Sequence, residues 1–68
     1  MEAALRKAFD AFGEPLILKV LSGKKLLLQK NSATADEAAA ILKAFEAKHT
    51  VRILCPLSED TVEIQVVQ

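Results

Sequence analysis

The sequence predicts an α+β fold, a two-layer sandwich built from two αββ repeats (αββαββ). In it, a four-stranded antiparallel sheet carries two helices on one face. Three observations lead to this prediction. The 68-residue chain matches itself when shifted by 36 positions, each copy begins with apolar residues at helical spacing, and each copy continues with two short apolar segments separated by turn residues.

The internal repeat aligns residues about 2–30 with residues about 38–66, without gaps. Eleven of the 29 aligned pairs are identical, and similar pairs such as Leu5 with Ile41 add to them. The matches run through helical and strand segments alike. We therefore interpret residues 1–68 as a single domain that contains two copies of one supersecondary unit.

The first copy begins with a helix over about residues 2–12. Its apolar residues form one stripe at helical spacing: Leu5, Ala8, Phe9 and Phe12. Gly13 stands where a helix commonly ends in a left-handed residue. Strand one, Leu16–Leu21, and strand two, Lys25–Lys30, then form a hairpin, in whose turn Gly23 is free to take a positive φ.

The second copy repeats this order after a short linker, Asn31–Ala33. Thr34 and Glu37 match the T-x-x-E capping box, so we expect a helix from about Ala35 to Lys48. Its apolar face is predicted at Ala38, Ile41, Leu42 and Phe45. Two strands follow, Val51–Pro56 and Thr61–Val67, with a turn between them at Ser58, Glu59 and Asp60.

The strand order is less well defined by the sequence. Strand two carries Lys25 and Lys30, and lysines often protect the edges of sheets. We therefore expect strands one and three at the centre, related by a pseudo-twofold axis.

The side of the sheet away from the helices, here called the open face, should be polar if it meets water. Strand one is apolar on both sides, interrupted only by Lys19. If Ile17 and Ile53 face the helices, an apolar cluster lies on the open face, and we predict it to be an interface. Its residues are Leu16, Leu18, Val20, Leu27 and Leu54. The opposite assignment of strand one exposes Ile17, Lys19 and Leu21 instead, which gives a smaller patch.

The charges favour self-association. Residues 1–34 contain six basic and three acidic residues, and residues 35–68 contain three basic and six acidic ones, so the halves carry net charges of +3 and −3. Such halves are complementary in an antiparallel pair of chains. Because a domain this small gains stability from a partner, we expect a homo-oligomer, with a dimer favoured.

No residue pattern indicates catalysis. Cys55 is the only cysteine and His49 the only histidine, which excludes an intramolecular disulfide and a Cys/His zinc cluster. We interpret His49 as a residue at a helix C-terminus and Cys55 as a small apolar strand residue. We therefore predict a small oligomeric protein-interaction or scaffold module that self-associates through the open face or a strand edge. We expect no enzyme activity and no catalytic, cofactor-binding or metal-binding residues.

The alternative is a minor nucleic-acid binder that uses the basic first hairpin. Its candidate phosphate contacts are Lys19, Lys24, Lys25 and Lys30. However, the chain is neutral, lacks Tyr and Trp, and places its three Phe residues on predicted buried helix faces, so no base-stacking platform is expected. Nucleic acid is therefore the less favoured partner.

The sequence predicts a cytoplasmic protein without a membrane contact. No apolar stretch is long enough to span a bilayer, and the N-terminus has no signal-peptide pattern. A single cysteine is typical of a reducing compartment.

Overall fold

The computed structural model describes residues 1–54 and 60–67. The elements in chain order are α1 (Glu2–Phe12), β1 (Leu16–Ser22), β2 (Lys25–Ala33), α2 (Ala35–Glu46), β3 (Val51–Leu54) and β4 (Thr61–Val66). The α+β class is therefore as the sequence predicts, with two helices and a four-stranded sheet. β2 is longer than expected, because the predicted linker Asn31–Ala33 continues the strand.

The sheet is mixed, and the prediction of a wholly antiparallel sheet is wrong. Its order is β2-β1-β4-β3, in which β1 pairs with β4 in parallel and both outer pairs are antiparallel. The centre therefore consists of β1 and β4, not of strands one and three. The sequence contains a reason for this order. The segment of β3 leads into Pro56, which suits an edge strand, whereas β4 alternates cleanly.

The order of elements recurs, but the sheet lacks the predicted pseudo-twofold axis. Such an axis would exchange β1 with β3 and β2 with β4, and the order β2-β1-β4-β3 is not preserved by that exchange. Residues that the repeat aligns also point to opposite sides. Ile53 lies opposite Ile64 and packs against the core, whereas Ile17 points away from the helices.

The orientation of β1 is the reverse of the one that the predicted interface required. Its buried side chains, none more than 4% exposed, are Leu16, Leu18 and Val20. They lie in the core and not on the open face. Lys19 explains this orientation, because it shares a side with Ile17 and Leu21. Burying an unpaired ammonium group costs far more than leaving two apolar side chains partly exposed.

The core lies between the sheet and the two helices. It combines Leu5 and Phe9 of α1 with Leu42 and three alanines of α2, and with alternate residues of β1 and β4. Phe12, predicted to belong to the α1 stripe, is 44% exposed at the end of that helix.

The helices run in opposite directions and are linked by exposed ion pairs. At the start of α1, Glu2 accepts a hydrogen bond from Arg6 Nε (2.9 Å) and lies 3.3 Å from Lys43 Nζ in the last turn of α2. Arg6 Nη2 also donates to Asp36 Oδ1 (3.0 Å) in the first turn of α2. The hydrogen bond from Arg6, followed by the contact with Lys43, holds the pKa of Glu2 below its ordinary value. Each exposed pair contributes little stability on its own.

The capping box at the start of α2 is confirmed. The Glu37 amide donates to Thr34 Oγ1 (3.2 Å), and the Thr34 amide donates to Glu37 Oε1 (2.9 Å). Each side chain thus satisfies an amide that the helix itself leaves without a partner. The bond from the Thr34 amide, helped by Lys30 with its Nζ 3.6 Å away, lowers the pKa of Glu37.

The first hairpin turns at Gly23 and Lys24, since Ser22 lies directly opposite Lys25. Gly23 takes a positive φ of 62°, as predicted, and no residue other than glycine does so in the described chain. A positive φ at the first position of a two-residue loop is typical of a type II′ turn, whose twist matches that of the strands.

Replacing Leu18 should destabilise the protein far more than replacing Ile17. We expect Leu18→Ala to lower the free energy of unfolding by about 3 kcal/mol, because it leaves a cavity in the core. Ile17→Ala, on the opposite side of the same strand, should cost about 1 kcal/mol or less. Chemical denaturation of the two variants measures this, and equal losses would contradict the assigned orientation of β1.

Removing the N-cap of α2 should cost about 1 kcal/mol. Thr34→Ala removes the oxygen that accepts from the Glu37 amide, whereas Thr34→Ser keeps it. Denaturant unfolding should show a clear loss for the alanine variant and little for the serine variant. An alanine variant as stable as the wild type would show that the capping box does not stabilise the helix.

Acid should weaken the start of α2. The pKa of Glu37 in the folded protein lies below 4.5, its ordinary value. The carboxylate therefore stabilises the fold fully above about pH 4.5. This stabilisation is lost as the pH falls through the pKa of the folded protein. Glu37→Gln keeps an acceptor but cannot titrate. Thermal unfolding at about pH 6 and about pH 3 should therefore show a smaller acid-induced loss for Glu37→Gln than for the wild type. Glu46→Gln, at an exposed position of α2, is the control and should lose as much thermal stability in acid as the wild type. If the wild type loses no more stability in acid than Glu37→Gln does, the prediction is refuted.

Candidate interaction surface

The open face contains both apolar and charged side chains, arranged in rows across the strands. Each row follows neighbouring positions of paired strands. The first row is Ile17 and Thr61; the second is Gln29, Lys19, Glu63 and Leu54; the third is Leu26, Leu21, Gln65 and Arg52. The face is thus less apolar than predicted, because the leucines and valine of β1 that were expected on it are in the core.

Two residues of the predicted interface remain outside the core. Leu54 lies on the open face beside Glu63 and is half-buried. Leu27 is 41% exposed and lies at an irregularity of β2, between the pairs Val20–Leu28 and Leu21–Leu26. It therefore has no directly opposite residue on β1.

Leu26 was missed by the sequence analysis. It is 48% exposed and lies opposite Leu21. Three consecutive leucines gave no alternation from which to choose a side, and the irregularity at Leu27 changes which of them meets the open face. With Ile17, Leu21 and Leu54, this residue completes an apolar set on the side that neither helix covers.

The edges of the sheet are poorly suited to pairing with another strand. β3 has only four residues, and β2 contains two irregularities of pairing along with Lys25 and Lys30. Short edge strands, bulges and lysines are features that prevent strands from adding to a sheet. The geometry therefore favours contact through the open face over contact through an edge.

The four lysines proposed for nucleic-acid contact do not share one surface. Lys19 lies on the open face, Lys24 and Lys25 lie at the hairpin turn, and Lys30 lies on the helix side, where its ammonium group is 3.6 Å from Glu37. Only the two turn lysines remain adjacent.

Among the other residues considered for chemistry, the structure describes His49 at the end of α2. The His49 amide donates to the Phe45 carbonyl (2.9 Å) just past the end of α2, and the two rings lie 6.3 Å apart. The predicted strand residue Cys55 lies outside the described residues, as do Ser58 and Glu59 of the predicted turn.

Residues 1–54 and 60–67 enclose no pocket, and no three of their His, Cys, Asp and Glu side chains group as metal ligands would. Within these ranges no helix has the length and apolarity to cross a membrane. Comparisons with protein-family models, with curated proteins and with solved structures find no match.

Proposed function

We propose that the protein is a small self-associating interaction module that uses its open face. The observation that carries the proposal is the apolar set Ile17, Leu21, Leu26 and Leu54 on a side of the sheet without a helix. The uncovered side of a sheet is ordinarily polar. A partner that covers this face would remove these side chains from water and so gain hydrophobic free energy.

A second copy of the chain suits this face. The apolar residues surround one lysine and one glutamate, Lys19 and Glu63, at neighbouring positions of the central strands. A surface that carries both charges side by side can be complementary to itself, which a twofold dimer requires. A strongly acidic or basic partner would meet a like charge.

The area of the open face limits how tightly two copies can associate through it. Four strands about 4.8 Å apart, with about five residues each at about 3.3 Å, cover roughly 300 Å² in projection. Stable protein complexes bury about 800 Å² on each partner. We therefore expect weak, reversible association, with a dissociation constant above about 10 µM.

Nucleic-acid binding through the first hairpin is supported less well. Its four candidate lysines lie on three different surfaces, and one of them, Lys30, is already close to Glu37. Phosphate binding gains strength from the number of contacts made together, and Lys24 and Lys25 alone provide few.

Sedimentation velocity from about 10 µM to about 1 mM should show a reversible shift from monomer to dimer. Leu21→Thr, which keeps a strand-forming residue but removes apolar area from the face, should weaken the dimer about fivefold or more. Phe12→Ser removes an exposed apolar side chain at the end of α1 and is the matched control. A strict monomer up to about 1 mM, or equal effects of the two variants, would refute the proposal.

A further inference from the structure

The strand order separates the two oppositely charged halves of the chain into the two halves of the sheet. β2 and β1 come from residues 1–34, of net charge +3, and β4 and β3 come from residues 35–68, of net charge −3. The two halves meet where β1 pairs with β4. There Lys19 and Glu63 are neighbours in the middle of the open face.

Both of these charged side chains are available to a partner. Each is partly exposed, and the ion pairs formed within residues 1–54 and 60–67 involve neither of them. Ile17 and Leu21 lie on either side of Lys19 along β1. A partner that covers these apolar residues therefore also removes Lys19 and Glu63 from water. A charge buried in this way is costly unless it forms an ion pair, and within one copy the described residues include no ion pair between Lys19 and Glu63.

We propose that two copies pack their open faces together around a two-fold axis that runs parallel to the strands, between β1 and β4. This inference rests on the self-association proposed above and specifies its geometry. The axis brings β1 of each copy opposite β4 of the other. Lys19 of one copy then faces Glu63 of the other, and symmetry forms this pair twice. Packed sheets lie about 10 Å apart, a gap that a lysine and a glutamate extended toward each other can bridge.

The other face-to-face arrangement does not pair these charges. A two-fold axis perpendicular to the strands puts β1 opposite β1 and β4 opposite β4, so Lys19 does not lie directly opposite Glu63 of the other copy. If this axis crosses the strands at Lys19, the two copies of Lys19 face each other and so do the two copies of Glu63. Like charges at the centre of an interface are strongly unfavourable.

The remaining charge on the open face is compatible with the proposed axis. Arg52 lies in the same row as Leu26, at the opposite edge of the sheet. The axis places Arg52 of one copy over Leu26 of the other. The methylene groups of arginine can cover a leucine while the guanidinium group stays in water. No like charges of the open face meet in this arrangement.

Charge reversal tests the arrangement. Lys19→Glu places two glutamates opposite each other, and Glu63→Lys places two lysines opposite each other, so each variant alone should self-associate about tenfold or more weakly than the wild type. In an equimolar mixture, each Lys19→Glu chain can pair with a Glu63→Lys chain, which restores opposite charges at both contacts and should recover the wild-type affinity. Fluorescence anisotropy, with one variant labelled at its N-terminus and titrated with the other, measures this recovery.

The mixture also separates interface effects from folding effects. Mixing two chains does not change the stability of either, so a recovered affinity must come from contacts between copies. Lys7→Glu, an exposed charge reversal on α1, is the control and should associate like the wild type. If the wild type associates but the mixture does not recover, the proposed axis is wrong and self-association stands. If the wild type remains monomeric up to about 1 mM, self-association itself is refuted.

Discussion

Lys19 lies in the middle of a central strand whose other residues, from Leu16 to Leu21, are all apolar. Its ammonium group has no acidic partner in the core, where none of the described buried residues is polar or charged. The strand must therefore turn this side to the open face, and Ile17 and Leu21 turn with it. One charge thus determines both what fills the core from β1 and what remains on the uncovered side.

The position of β1 depends on its neighbours on both sides. It pairs with β2 through the hairpin at Gly23 and with β4 in parallel, starting where the Ile17 amide donates to the Asp60 carbonyl (2.6 Å). The parallel pair joins the two halves of the chain through the two strands whose alternate side chains are buried in the core. As a consequence, Lys19 from one half of the chain and Glu63 from the other become neighbours in the middle of the open face.

The local features were predictable, whereas the pairing of distant strands was not. The capping box of α2, the starts of all six elements and the turn at Gly23 follow from residues close together in sequence. Strand order depends on contacts between distant segments, for which local pattern gives little information. The repeat also misled, because it aligned Ile17 with Ile53 and suggested the same orientation for both. The side occupied by Lys19 was the available signal, since burying Ile17 would have required burying this charge as well.

Methyl NMR spectra recorded over a range of protein concentrations test the central claim most directly, because they report on both sides of β1 in one measurement. As the concentration rises from about 10 µM to about 1 mM, the methyl signals of Ile17, Leu21, Leu26 and Leu54 should shift, whereas those of Leu18 and Leu5 in the core should stay in place. Shifts centred on Leu18, or spectra that do not change with concentration, would contradict the account.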